Sequence, residues 1–377
     1  MSDIQKLIRV AEIIGRMSGG GVETVVTNYY RYIDKSKVQF DFFYFEDSTD
    51  EPEQDLIDMG ARFYCLPSIK CTGAYVKKLR TILRENHYSI VHAHLNTLSL
   101  IPLYCAWKEN VPIRIAHNHS VPAGMEPRNV LKHFLRMFSK TFATDYAACS
   151  EKAGRWLFGN KAFDQGKVMI FANAIDFDRF HKDSKVRKDM RARYHIGPKT
   201  IVVGHVGRFT YAKNHDFLID LFEQFHKETP DSILLLAGDG ELRTQIENRI
   251  RSHNLSSCTI LTGEVQNVED YLNVMDIFVM PSRYEGLGMA AVEAQACLVP
   301  VIVSDAVPKA AAITDEMVFL PLSDSINHWM LAMNASIQEE IHFNARKEIY
   351  DIHSACRIME TWYLHRLEVD CDGHEHQ

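Results

Sequence analysis

The strongest constraint on the fold is a pattern that runs twice along the chain: short apolar segments rich in β-branched and aromatic residues, separated by longer segments of helical periodicity. The first run comprises KLIRVAEIIG (6–15), QFDFFYF (39–45), SIVHAHL (89–95), IRIAHNH (113–119) and YAACS (146–150). Between them lie helix candidates such as GVETVVTNYYRYI and AYVKKLRTILREN. The pattern restarts with TIVVGHVGR (200–208), SILLLAGDG, CTILTG, IFVMPS and VPVIVS, alternating with three further helical segments. Strands that alternate with helices and are apolar throughout imply parallel sheets covered on both faces, so two doubly wound α/β domains are expected. At 377 residues the chain has the length for two such cores. The expected division is 1–180, 181–343 and a closing helical segment 344–377, with the charged stretch 176–198 containing the linker.

Charge and cysteine usage narrow the setting. The net charge is −7, but residues 1–180 carry 23 basic against 20 acidic side chains and the remainder 19 against 29. No nucleic-acid partner is expected of this balance. The eight cysteines are scattered without a C-x-x-C pair, which fits a reducing cytosol and neither a disulfide framework nor a zinc ribbon. No run approaches the roughly 20 apolar residues of a membrane span.

In open α/β sheets, ligands bind where strands end and helices begin. The segment PSRYEGLGMAAVEAQA (281–296) puts Glu285 in such a loop and Glu293 eight residues on, with Gly286 and Gly288 between a strand and a helix expected to begin near Met289. Glycines admit close backbone approach, free N–H groups at a helix start favour phosphate, and carboxylates accept from sugar hydroxyls. A ligand with phosphate and sugar parts satisfies both demands, and a nucleotide-sugar has that layout. The plain alternative is a solvated loop glutamate and a second one favouring the first helical turn. In GRFTYAK (207–213), Arg208 and Lys213 follow a strand and can clamp a diphosphate, or be two exposed loop cations. RMSGGGVETVV (16–26) places Gly20 and Gly21 after the first strand. It is neither G-x-G-x-x-G nor G-x-x-x-x-G-K-[ST], which speaks against a nicotinamide-dependent oxidoreductase and a P-loop enzyme.

GRFTYAK, GDGELR, LTGEVQNVEDYLNVMDIFVMPS and PSRYEGLGMAAVEAQA, with GGGVETVV and FANAID in the first half, together resemble glycosyltransferase family 4. Its members have the GT-B fold, two Rossmann-like domains facing across a cleft, and are retaining. RIAHNHS and YAACSEKAG are most similar to enzymes of bacterial capsule and exopolysaccharide assembly. The resemblance implies that Arg208 and Lys213 bind the donor diphosphate, Glu285 the transferred sugar and Glu293 the ribose. It also implies that the backbone of Gly286, Leu287, Gly288 and Met289 supports phosphate and sugar, and that Gly20 and Gly21 close on the phosphate. Asn173 belongs to the FANAID stretch, Val265 falls where family members line the base pocket, and the closing helix is expected to return to the first domain. The chain departs from the family pattern at Ala174 and Leu298, where glycine is common.

The expected activity is transfer of a hexose or N-acetylhexosamine from a nucleotide-sugar, UDP by family habit, to a glycan or lipid-linked acceptor in cell-surface polysaccharide synthesis. Competing readings are a nucleotide-sugar epimerase or phosphorylase and a non-catalytic partner subunit. No cofactor or metal is expected, and activity should survive EDTA. His117 or His119, at the end of a first-domain strand, is expected near the sugar or acceptor; which of the two is left open, and each can equally be a loop residue. His92 and His94 offer a metal pair by composition, though strand alternation explains the spacing as well. Arg128, Lys132, Arg136 and Lys140 line one face of a helical segment beside Leu131, Leu135 and Phe138, the pattern of a helix lying on an anionic membrane surface or of an ordinary surface helix. The expected location is cytoplasmic, peripheral on the inner face of the membrane.

Overall fold

A computed structural model describes residues 7–18, 21–120 and 127–374. The chain forms two compact units, Met1–Ala174 with Ile349–Gln377, and Ile175–Glu348. The first is built on β1 (Ile8–Gly15), β2 (Val38–Phe45), β3 (Arg62–Leu66), β4 (Ile90–Ala93), β5 (Ile113–Asn118), β6 (Asp145–Ala148) and β7 (Val168–Ile170). They form one sheet in the order β3-β2-β1-β4-β5-β6-β7, parallel throughout. The second unit carries β8 (Ile201–Val206), β9 (Ser232–Ala237), β10 (Thr259–Gly263), β11 (Ile277–Met280), β12 (Val301–Ser304) and β13 (Val318–Leu320), in the order β10-β9-β8-β11-β12-β13. Both sheets reverse direction of winding beside their first strand. The gaps β1/β4 and β8/β11 are therefore the switch points at which ligands of doubly wound sheets bind.

Each sheet is buried on both faces, and the pleat sorts side chains between them. On β2, Phe40 and Phe42 pack with Tyr29, Tyr30, Met359 and Tyr363, while Phe43 joins Tyr75, Leu79 and Leu103 on the other face. The closing helix, Ile352–His374, lies in the first core: Ile352, Cys356, Met359 and Tyr363 are buried there. The second core gathers Phe209, Phe222, Phe225, Leu234, Leu236 and Trp329.

The charged stretch expected to contain the linker carries a helix, Ser184–Arg193, capped by Asp183 Oδ1, which accepts from the N–H groups of Lys185 (2.8 Å) and Val186 (3.0 Å). Arg187 Nη1 donates to the carbonyls of Asn273 (3.0 Å), Val274 (2.9 Å) and Met275 (2.9 Å), satisfying the C-terminal end of the helix Val268–Val274. The charges thus bind the helix to the second unit. The basic segment 128–142 is helical only over Pro127–Arg136 and then breaks into turns.

Candidate functional site

The second unit's switch point brings together the loop after β8 and the loop after β11. The first runs from Gly207 to Asn214 and contains a 3-10 turn, Tyr211–Lys213. The second passes through Arg283, whose N–H donates to Ala212 O at 2.7 Å and whose Nη1 donates to Tyr211 O at 2.7 Å. Lys213 Nζ thereby meets Glu285 Oε1 at 2.5 Å, and Ser282 Oγ donates to the same oxygen at 2.9 Å. Both partners are largely buried, with side-chain exposure of 19% and 11%. An ammonium has three donors, so Lys213 retains two for a further anion while holding Glu285. Arg208, five residues before Lys213, is exposed and has no hydrogen bond or ion pair among the described residues.

The β11 loop ends in the helix Met289–Ala296, beginning at the residue expected. Gly288 is its N-cap with φ +86, a left-handed conformation that favours glycine. Gly286 differs: a Cβ would meet nothing within 4 Å, which leaves its backbone open to a ligand. Leu287 is buried. Glu293 lies one turn into the helix and is partly exposed. Burial pushes its carboxyl up to about 7; Glu269 pushes the same way, and Arg179 and Lys213 oppose it. Arg179, which the sequence did not single out, donates from Nη2 to Gln266 O and Glu269 Oε2, both at 2.8 Å. Val265 follows β10 and is half-buried.

Gly21, Asn173, His117 and His119 belong to the other unit; Gly20 lies outside the described residues. Gly21 starts the helix Gly21–Tyr32, with open space where a Cβ would stand. The Oδ1 of Asn173 is buried without a hydrogen-bond partner among the described residues. At the first switch point, Glu12 on β1 stands opposite His92 on β4. His94 Nε2 lies 2.6 Å from Glu12 Oε2, and His94 Nδ1 lies 2.8 Å from His119 Nε2. His92 Nε2 lies 3.0 Å from His117 Nδ1, and His92 Nδ1 2.6 Å from the Tyr363 hydroxyl. Burial holds all four imidazoles well below the usual histidine range. His117 is enclosed at 1% exposure, whereas His119 is partly exposed at the strand end, which separates two rings that the sequence left equivalent. His92, His94 and His117 stand close enough together to share a metal ion; five of their six ring nitrogens have hydrogen-bond partners, and His117 Nε2 has none among the described residues. The sequence signal for this network was a glutamate inside an otherwise apolar strand, VAEIIG.

Comparison with known proteins places these loops in a family. The profile "Glycosyl transferases group 1" matches residues 186–324, and "Glycosyltransferase Family 4" matches residues 19–179. A putative glycosyltransferase, EpsF of Bacillus subtilis (strain 168), is 34% identical over 337 residues, covering 87% of each chain. The capsular polysaccharide biosynthesis glycosyltransferase CapH of Staphylococcus aureus is 26% identical over 76% of this chain and 79% of its own. The UDP-Gal:alpha-D-GlcNAc-diphosphoundecaprenol alpha-1,3-galactosyltransferase of Escherichia coli is 24% identical over 67% of this chain and 69% of its own. Among solved structures, HepE of Anabaena in complex with UDP and glucose superposes with a TM-score of 0.69 at 16% identity, covering 98% of both chains, a likeness of fold. Two Rossmann-like sheets, both profiles in sequence order and a relative of this identity over most of its length lead to one conclusion: the chain belongs to glycosyltransferase family 4.

Proposed function

We propose that the chain is a retaining hexosyltransferase that moves a hexose or N-acetylhexosamine from a UDP-sugar to a glycan or lipid-linked acceptor in cell-surface polysaccharide synthesis. The observation that carries this reading is the Lys213–Glu285 pair at the β8/β11 switch point, beside the open backbone of Gly286 and Arg208, which has no partner among the described residues. Breaking the anomeric carbon–oxygen bond leaves positive charge on the sugar and negative charge on the departing diphosphate. Arg208 and the two spare donors of Lys213 stabilise the diphosphate where that charge develops, without reorganisation. Glu285, anchored by Lys213 and Ser282, orients the sugar hydroxyls, and Glu293 accepts from the ribose. In the first unit, His119 rather than His117 is the ring with exposed surface for a ligand. Retention follows from attack on the face the diphosphate leaves, a phosphate oxygen taking the acceptor hydroxyl's proton. With two side-chain cations serving the diphosphate, no metal is required. The E. coli relative named for a diphosphoundecaprenol acceptor supports a lipid-linked acceptor. Peripheral contact with an anionic membrane is part of the same proposal.

The test is a panel of nucleotide-sugars incubated with the protein with and without EDTA, followed by assignment of the anomeric configuration of any product. UDP-hexoses are expected to turn over equally in chelator with the donor's configuration retained, and Lys213→Ala and Glu285→Gln to lower kcat/KM by about 10²-fold or more. Turnover of no nucleotide-sugar, or undiminished turnover in either variant, would overturn the assignment. An inverted product would overturn the retaining mechanism.

A further inference from the structure

The two loops that meet at the second unit's switch point are fastened unequally, and one side chain joins them. On the β11 side the fastening reaches into the sheet. Ser304 Oγ, at the end of β12, donates to Ser282 O at 2.5 Å, and Ser282 Oγ donates to Glu285 Oε1 at 2.9 Å, both serines being fully buried. The β8 loop is held in two halves. Its first half is tied to the turn after β9: Phe209 N–H donates to Asp239 O at 2.8 Å, and Phe209 O accepts from Leu242 N–H at 3.1 Å. The second half, the turn Tyr211–Lys213, has no such tie. Among the described residues, the hydrogen bonds that bind this turn outside its own loop are the two from Arg283, N–H to Ala212 O and Nη1 to Tyr211 O, both at 2.7 Å, and the Lys213–Glu285 pair itself.

The direction of each bond is settled by the groups that make it. Guanidinium and ammonium only donate and a carbonyl only accepts, so Glu285 Oε1, which accepts from Lys213, accepts from Ser282 as well. The Arg283 guanidinium also stands 4.2 Å from the centre of the Tyr211 ring, and a planar cation resting on an aromatic face holds that face as well as the carbonyl. Beneath the turn, the Lys213 stem crosses Gly207, where a Cβ would meet Lys213 Cε at 3.2 Å. The place of Nζ is therefore set by this floor and by the height of the turn above it. The Arg283 bond to Tyr211 O lies at the surface, so its loss hands the carbonyl to water and strands no buried group. Stability depends little on that bond, whereas the position of Lys213 depends on it directly.

We propose that Arg283 is a positioning residue for sugar transfer: it holds the Tyr211–Lys213 turn at the height that keeps Lys213 Nζ on Glu285 with its two remaining donors free for the diphosphate, and it touches no donor itself. The inference rests on the reading of Lys213 as a diphosphate ligand, and it adds the residue that sets where that ligand stands.

The backbone bond to Ala212 survives substitution, so Arg283→Ala isolates the guanidinium. With the UDP-sugar that the wild type turns over, Arg283→Ala is expected to lower kcat/KM about tenfold while its melting midpoint stays within about 2 °C. Arg283→Lys, which keeps a donor for Tyr211 O, should recover most of the loss. In a Lys213→Ala background Arg283→Ala should cost less than about twofold more, because the group it positions is gone. The full tenfold loss in that background would show that Arg283 acts on the donor directly or through its charge, and would overturn the inference. Undiminished transfer in Arg283→Ala, or Arg283→Lys no better than Arg283→Ala, would overturn it too. A readout free of turnover is trace acetylation of Lys213, followed by peptide mass spectrometry against Lys309, an exposed lysine of the same unit. Arg283→Ala is expected to label Lys213 at least about threefold faster than the wild type, approaching Glu285→Ala, in which the lysine has lost its partner. A wild-type labelling rate in Arg283→Ala would overturn the positioning role. Failure of the wild-type protein to transfer any sugar would refute the proposed function, and the labelling would still decide whether Arg283 places Lys213.

Discussion

At the scale of single residues, Glu293 shows how position changes what a carboxyl costs. In the unfolded chain it titrates near 4.5, and in the fold burial raises it to about 7. Below the lower value it is neutral in both states; above the higher one it is ionised in both, and the fold bears the cost of a desolvated charge. Stability therefore falls as pH rises between the two. Glu293→Gln removes this slope, so the gap between its melting temperature and that of the wild type is expected to widen from pH 5 to pH 8 in differential scanning calorimetry. A gap independent of pH would show that Glu293 is solvated. Ribose hydroxyls donate best to the ionised form, so UDP affinity should rise through the same range in the wild type and stay flat in the variant. Sequence spacing made Glu285 and Glu293 visible as a pair, and the alternation of strands and helices located Lys213 and Arg208 at a strand end. The anchoring of Lys213 to Glu285 was not legible, because it is created by Arg283 tying two loops that are 72 positions apart in the chain. His119 and His117 were indistinguishable for the related reason that only packing decides which ring the core encloses.

At the scale of elements, the helix Met289–Ala296 ends in a way its sequence resists. Val299 N–H donates to Ala294 O at 3.0 Å and Leu298 N–H to Gln295 O at 2.9 Å, a Schellman closure whose pivot, Leu298, has φ +54. A branched residue in that conformation costs about 1–2 kcal/mol relative to glycine. Leu298→Gly is thus expected to stabilise the protein by about 1 kcal/mol, raising the melting midpoint by roughly 2–4 °C. A lower midpoint would show that the leucine side chain contributes more through contacts than its backbone loses. The helix Pro127–Arg136 is the other informative element. Phe134, Met137 and Phe138, in and just after it, are 54%, 66% and 41% exposed instead of facing the core, with Lys132, Arg136 and Lys140 interleaved. Exposed aromatic and basic groups together suit an anionic bilayer surface. Sedimentation with phosphatidylglycerol vesicles at low salt is expected for the wild type and lost in a Phe134→Ser, Met137→Ser, Phe138→Ser variant; wild-type protein remaining in the supernatant would refute membrane contact. The strands that periodicity missed, β3, β7 and β13, all lie at sheet edges and span three to five residues. Half-covered edges need no apolar run, so nothing marked them.

At the scale of the whole molecule, the first unit is discontinuous while the second is a single stretch, Ile175–Glu348. The closing helix is integral to the first core: the fully enclosed side chains Tyr363 and Ile352 each contribute about 1.5–3 kcal/mol by burial, and Tyr363 also donates to Glu12. A chain truncated after Glu348 is expected to lose the cooperative unfolding of the first unit and keep that of the second, giving one calorimetric transition in place of the wild-type total. Two intact transitions in the truncated protein would show that the helix is an accessory. The restart of the strand–helix pattern made both sheets readable from sequence, and the long helical segment with no strand after it marked the closing element. Its destination was carried by family resemblance, because an apolar stripe says that a helix is covered and not by which sheet.

This discontinuity has a consequence for biosynthesis. A ribosome delivers the second unit complete while the first still awaits its final helix, so the later half of the polypeptide matures before the earlier one. Until the closing helix emerges, Phe40, Tyr29 and their neighbours stay uncovered on one side, the kind of exposed apolar surface from which aggregation of folding intermediates starts.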